Sequence, residues 1–306
     1  SGGKLSAKIV ATGSALKRDT LAIDAPDIRL AISDLSAFAA EGSIGAHAVT
    51  IGTNRVDTPK LGFSRQGTST AFDLSGRYDG APLVAKGRVD QQTEGLRIAL
   101  DTLSAAPRRV PLTLAGPAAL TLSGGKVTIE KAIVSAGSGT VDVRGSAGEA
   151  LNLAATLRNV PASLSAALAP TLAPDGTITG TVAVKGTSAA PVVTYALDWA
   201  NAAVAQTRSA GIGAFSVSAK GDFRDGRLSL DTRVTGQAGL GLSGGGTLNL
   251  SGQRPIAMKF AGKLPFAALT GLLSRQGFVL EGAADLDVSV SGGLATPQIT
   301  GTVRTA

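Results

Sequence analysis

Aliphatic residues recur at every second position through most of this chain, and that period decides what it can fold into. Leu112-Thr113-Leu114, Leu120-Thr121-Leu122, Val127-Thr128-Ile129 and Val141-Asp142-Val143 each place aliphatics on one side and small polar residues on the other. Leu151-Asn152-Leu153, Leu228-Ser229-Leu230, Leu248-Asn249-Leu250 and Leu286-Asp287-Val288-Ser289-Val290 continue the pattern. Successive side chains of an extended strand point to opposite faces, so a period of two is the strand signature. Glycine-rich stretches, Gly124-Gly125, Gly137-Ser138-Gly139 and Gly244-Gly245-Gly246, read as turns between strands. The expectation is an all-β chain whose sheet has one apolar and one wet face.

Composition says how that apolar face is built. Hydrophobic residues are 43% of the 306, but aromatics are only 4%, and there are 40 glycines. Large compact cores lean on aromatic rings for buried area, so this composition predicts a thin layered array running as one continuous unit over 1–306. With no cysteine, disulfides and thiolate metal sites are excluded. Neither a spanning helix nor a signal peptide is visible. The chain starts without Met and stops at Thr302-Val303-Arg304 within a strand pattern, which reads as a piece of a longer protein. The net charge of +7 is dispersed, its densest pairs being Lys17-Arg18 and Arg108-Arg109. A nucleic-acid site would add stacking aromatics to a basic groove, so no nucleic-acid partner is expected.

Two segments depart from the alternation. Pro161–Leu168 and Pro265–Leu273 carry apolar residues at helical spacing after a leading proline, and predict helices of two or three turns lying on the apolar face. They open a repeat. After the first come Gly176, Val182-Ala183-Val184, Gly186, Pro191 and Val193-Thr194; after the second come Gly282, Val288-Ser289-Val290, Gly292, Pro297 and Ile299-Thr300. Each anchor is displaced by 282 − 176 = 106 residues. The modules span about 157–198 and 262–306. A looser copy over about 30–65 would use Gly42, Val49-Thr50-Ile51 and Pro59.

This set of motifs resembles the TamB family of the AsmA-like superfamily. The resemblance rests on Val160-Pro161…Leu164…Leu168, on Leu264-Pro265…Leu269…Leu272-Leu273, and on the run Gly176-Thr177-Ile178-Thr179-Gly180-Thr181-Val182-Ala183-Val184-Lys185-Gly186-Thr187 with its Pro191 bend. It implies an elongated, twisted, U-shaped open β-sheet groove with an apolar interior. It further implies a periplasmic location with an inner-membrane anchor, an outer-membrane barrel partner of the TamA type, and conduction of phospholipid between the membranes. A chaperone-like scaffold for outer-membrane β-proteins and a closed β-solenoid are the alternatives. The groove-lining candidates are Val182, Val184, Val193, Leu228, Leu230, Leu248, Leu250, Leu286, Val288, Val290 and Ile299.

Catalytic and metal motifs carry less. Gly241-Leu242-Ser243-Gly244-Gly245 matches a nucleophile elbow, but the only histidine, His47, lies upstream where that fold needs one downstream. Ser123-Gly124-Gly125-Lys126 lacks the partners of its motif and reads as a turn. Asp285 and Asp287 share the wet face of one strand, and Asp24 and Asp27 bracket Pro26 as turn chemistry. The reading is a chain that is not an enzyme and has no cofactor.

Overall fold

The computed structural model describes residues 6–34, 39–167, 170–250, 255–270, 280–293 and 296–305. The chain is all-β, built of open antiparallel sheet, and divides into two compact units, Ser1–Ala147 and Gly148–Ala306. Its solvent-accessible surface is 18521 Å². Two separate compact domains of half its mass would expose only about 14,000 Å² together. The excess means that the sheets are not wrapped around closed cores.

The first unit holds β1 (Ala7–Thr12), β2 (Ala15–Arg18), β3 (Leu21–Asp24), β4 (Asp27–Asp34), β5 (Ala39–Gly45), β6 (Ala48–Ile51) and β7 (Asn54–Gln66). It continues with β8 (Ser69–Tyr78), β9 (Ala81–Gln92), β10 (Gly95–Ala105), β11 (Leu112–Leu114), β12 (Ala118–Ser123), β13 (Lys126–Ala136) and β14 (Gly139–Ala147). The short strands are halves of long ones. β1 pairs β4 and β2 pairs β3, while β7 pairs β5 along one half and β6 along the other. The breaks line up across neighbouring strands, and the backbone ladder runs on through them. Gly13 N–H donates to the Pro26 carbonyl (3.0 Å), Ala25 N–H to Ser14 (2.9 Å), His47 N–H to Asp24 (2.9 Å) and Thr58 N–H to His47 (2.8 Å). Ala25 and Thr58, each before a proline, sit at φ 46° and 45°. These are bulges, which bend a strand without ending its pairing. Asp24 and Asp27 therefore flank a bulge and not a reversing turn. Pro59 lies well inside β7, whereas Pro191 is the first residue of β17 and Pro297 the second of β23.

The second unit is a nine-strand antiparallel meander. Its strands are β15 (Ala150–Pro161), β16 (Asp175–Thr187), β17 (Pro191–Ala203), β18 (Phe215–Arg224) and β19 (Arg227–Gly236), then β20 (Gly241–Asn249), β21 (Pro255–Pro265), β22 (Ala283–Gly293) and β23 (Thr296–Thr305). Each pairs its sequence neighbours. The 106-residue repeat becomes one hairpin geometry used twice. Val184 faces Val193 as Val290 faces Ile299, and Gly186 faces Pro191 as Gly292 faces Pro297. Gly186 and Gly292 adopt φ 89° and 91°, and Gly176 and Gly282 adopt 97° and 92°.

Two expectations need correction. Pro161 and Pro265 are the last residues of β15 and β21, not first-turn residues of helices; they face Thr177 and Ala283. The segments after them are 3-10 turns, Ala162–Ala167 and Phe266–Leu269. A hydroxyl in or just after each turn bonds three residues back: Ser165 to the Ala162 carbonyl, and Thr270, the residue following the second turn, to that of Ala267. Leu168 and residues 271–273 lie outside the described residues. Gly244-Gly245-Gly246 is the second correction, being the interior of β20 and no turn. A Cβ at Gly244 would stand 2.7 Å from the Phe260 Cα and one at Gly246 2.7 Å from the Met258 Cα. The glycines permit close strand approach, which in sequence looks the same as a turn.

The twin hairpins make a paired prediction. A Cβ at Gly186 would meet the Ala190 carbonyl oxygen at 2.5 Å, whereas at Gly292 the nearest atom is 3.3 Å away. Both sites carry positive φ, so alanine costs about 1–3 kcal/mol at each. Urea unfolding of Gly186→Ala and Gly292→Ala should find both destabilised, with Gly186→Ala the more so.

Candidate functional site

Residues paired across an antiparallel ladder share a face, so the register tells which side chains form a surface. In the second unit one row runs Leu153–Val184–Val193–Phe223–Leu228–Leu248–Ile256 from β15 to β21. Two residues along, Val182–Tyr195–Gly221 continues beyond β18 as Leu230–Gly246–Met258–Val290–Ile299. A third row is Leu157–Gly180–Leu197–Ala219–Thr232–Gly244–Phe260–Val288–Gly301. The fourth is Val160–Ile178–Trp199–Val217–Val234–Leu242–Gly262–Leu286–Val303.

The structure thus brings the sequence candidates onto one face. Val184, Val193, Leu228 and Leu248 stand in the first row; Val182, Leu230, Val290 and Ile299 in the second; Val288 in the third; Leu286 in the fourth. Leu250 lies one residue past β20, two along from Leu248, with its N–H bonded to the Gly226 carbonyl. Phe223, Trp199, Val217, Val234, Met258 and Phe260 stand on the same face, as do Leu153, Ile178, Leu197, Leu242 and Ile256, and were missed. Their signal was present as the period-two runs Phe215-Ser216-Val217-Ser218-Ala219 and Ile256-Ala257-Met258-Lys259-Phe260.

The opposite face is polar, one row running Thr181–Ala196–Lys220–Asp231–Gly245–Lys259–Ser289–Thr300. Its Lys220–Asp231 pair, 3.3 Å apart and exposed on both sides, contributes no more than about 1 kcal/mol. The first unit repeats the division. Ile9–Leu30–Gly42–Phe63–Phe72–Gly87–Leu100–Ala118 forms an apolar row, and Asp73 and Lys86 pair at 2.6 Å on the other face.

Little covers these apolar faces. Among the described residues no large side chain is fully buried, and the buried hydrophobics are seven alanines and Leu240. Ile299 and Val303 are 69% and 65% exposed. Two polar side chains among the described residues stand within the apolar rows of the second unit, Thr232, whose hydroxyl donates to the Ser218 carbonyl, and Tyr195. The Tyr195 hydroxyl reaches over Gly221 and donates to the Ser229 carbonyl at 2.7 Å. Trp199, the chain's single tryptophan, donates from Nε1 to the Asp175 carbonyl at 2.7 Å and packs edge-on to Phe215.

The catalytic motifs take ordinary places. Ser243 sits in mid-strand on the polar face, opposite Arg233 and Ala261, with none of the strand–turn–helix geometry of an elbow. Ser123–Lys126 closes the β12–β13 hairpin. His47 is exposed at the bulge line, and Asp285 and Asp287 share the polar face of β22, facing Lys263 and Ala261. Among the described residues no three His, Cys, Asp or Glu side chains gather as metal ligands, and no helix is long and apolar enough to cross a membrane.

Fold and face together define a class: single-layered antiparallel β-protein with one uncovered apolar face. No family model, no curated protein and no solved structure matches the chain.

Tyr195 supplies a pH prediction. Burial, and after it the Asp222 carboxylate, hold its phenol above the ordinary 10.0. The folded state thus favours the neutral phenol. Its stability contribution is complete below the ordinary value and is lost as pH rises through the folded-state value. Tyrosinate absorbance, compared with Tyr195→Phe, should show a late-titrating phenol. Asp222→Asn should lower its midpoint only in part, because burial remains.

Proposed function

We propose that this chain is a stretch of a phospholipid-conducting groove protein, of the kind its TamB-like motifs imply. It would work in the periplasm between inner and outer membrane, with an inner-membrane anchor in the whole protein and a TamA-type barrel as partner. One observation carries the reading: four largely apolar rows, each crossing seven to nine of the nine strands, share one face, and no second layer covers them among the described residues.

An apolar surface of this extent exceeds the few hundred Å² that monomers leave bare without a use. Acyl tails suit it. Bringing both tails of a diacyl phospholipid into water costs on the order of 20 kcal/mol, at about 0.8 kcal/mol per methylene. A wall of Val, Leu, Ile and Phe removes most of that cost. Nine strands at about 4.8 Å make a face roughly 40 Å across the strands. A tail reaching half of a bilayer core, about 15 Å, lies across about three strands. Neighbouring positions are chemically alike, so a lipid advances by small steps and no catalytic group is required.

The reading is tested on protein purified from a bacterial envelope, by native mass spectrometry with lipid extraction. Phospholipid should co-purify with the wild type and with Thr300→Asp, whose change falls on the polar face. It should be lost from Val184→Asp/Val290→Asp, with far-ultraviolet circular dichroism unchanged. A lipid-free, monodisperse wild-type protein, or full lipid loading of the double variant, would remove the reading.

A further inference from the structure

The four apolar rows of the second unit contain no charged residue. Their polar hydrogens are already engaged: the Tyr195 hydroxyl donates to the Ser229 carbonyl, the Thr232 hydroxyl to the Ser218 carbonyl and Trp199 Nε1 to the Asp175 carbonyl. Covering this face therefore strands no donor and buries no charge. The first unit differs. Arg65 stands in its apolar face, in the row Ile32–Ala40–Arg65–Thr70–Val89, where a dry cover would desolvate a guanidinium.

The face is also large enough for a protein partner. Rows two residues apart are about 6.7 Å from each other and nine strands span roughly 40 Å, so four rows offer roughly 800–1,000 Å². A stable interface buries about 800 Å² on each partner.

Its relief alternates from strand to strand. In the second and third rows β17, β19 and β21 carry the larger pairs, Tyr195 and Leu197, Leu230 and Thr232, Met258 and Phe260. Between them β18 carries Gly221 and Ala219, and β20 carries Gly246 and Gly244. Tyr195 leans over Gly221, so the space on β18 is left above Ala219.

Such a corrugated face fits a second copy of itself. Sheets stack face to face about 10 Å apart, with strand directions within about 30° of each other. A two-fold axis between the sheets, parallel to the strands and midway between β19 and β20, lays β19 over β20 of the second copy. It lays β18 over β21, β17 over β22 and β16 over β23, and keeps each row at its own level. Leu230 and Thr232 then meet Gly246 and Gly244 of the second copy, Ala219 meets its Phe260, and Val182 its Ile299. In the fourth row Val217 meets Gly262 of the second copy and Ile178 its Val303. Bulk stands over space at the centre, and the most exposed apolar residues of the unit, Ile299 and Val303, are covered.

We infer that the apolar face of the second unit is a self-association surface, on which two copies pack as a two-layer β-sandwich when no other apolar occupant is present. A two-fold contact uses the same patch on both copies and closes at the dimer. The surface follows from register and side-chain size and stands apart from the lipid reading; where lipid also uses the face, lipid and the second copy exclude each other.

The test is sedimentation equilibrium of the delipidated full chain at micromolar concentrations, with cross-linking by a short bis-maleimide. The chain has no cysteine, so single ones report position. The wild type should sediment as a dimer. Leu230→Cys, beside the two-fold axis, should cross-link to itself, and Val182→Cys and Ile299→Cys only when mixed. Ala219→Phe adds apolar surface yet should weaken the dimer on the order of tenfold, because it overfills the space taken by Phe260 of the second copy. Its circular dichroism should match the wild type. A delipidated chain that stays monomeric overturns the assignment, whatever lipid it carried before. So does a dimer that Ala219→Phe leaves equally tight, or one that cross-links through Thr300→Cys on the polar face and not through Leu230→Cys. A dimer of the expected cross-links that phosphatidylglycerol vesicles fail to dissociate leaves the self-association surface standing and counts against the groove.

Discussion

Everything in this protein depends on the register of its antiparallel ladders. The side-chain period along a strand is two, so a slip of one residue would carry each aliphatic to the wet face and each Thr, Lys or Asp to the apolar one. Because Val184 faces Val193, and Phe223 faces Leu228, strands that alternate separately add up to rows that cross the whole unit. The hairpin turns set that register. Asp225-Gly226 at φ 51° and 74°, and the Gly186–Pro191 closure, each fix which residues meet across the strands they join.

A sheet of one layer pays for this face in stability. With no large side chain fully buried, cohesion comes from the ladder itself and from half-buried cross-strand contacts, each worth about 0.2–1 kcal/mol. The ion pairs on the wet face add little. An amphiphile seated on the apolar rows would therefore supply part of the missing packing, which ties occupancy to stability.

Asymmetry within the sheet supplies direction. Bulges beside Pro26 and Pro59 give the first unit a bend line across its strands. In the second unit the described helical segments stand at one end of the strands and the short turns at the other. Gly244 to Gly246 serve close approach between strands. An amphiphilic occupant needs such asymmetry, because its two ends want different surroundings.

By itself the sequence determined the strands, the apolar side of each and the twin hairpins, since Leu-Thr-Leu, Val-Ser-Val and the Gly-Pro pair are local signals with a local cause. It misplaced the glycine triplet and the two prolines Pro161 and Pro265, which end strands. A glycine needed for backbone approach cannot be told from one needed for a turn, and a proline that ends a strand cannot be told from one that opens a helix. It also missed Phe223, Trp199 and Val217, whose importance lies in their partners on other strands. Only the tertiary structure decided which strands are neighbours, that the candidate residues from Val182 to Ile299 share one face, and at which rim the described helical segments gather. Those facts come from pairing between residues distant along the chain, and no single strand encodes its partner's register.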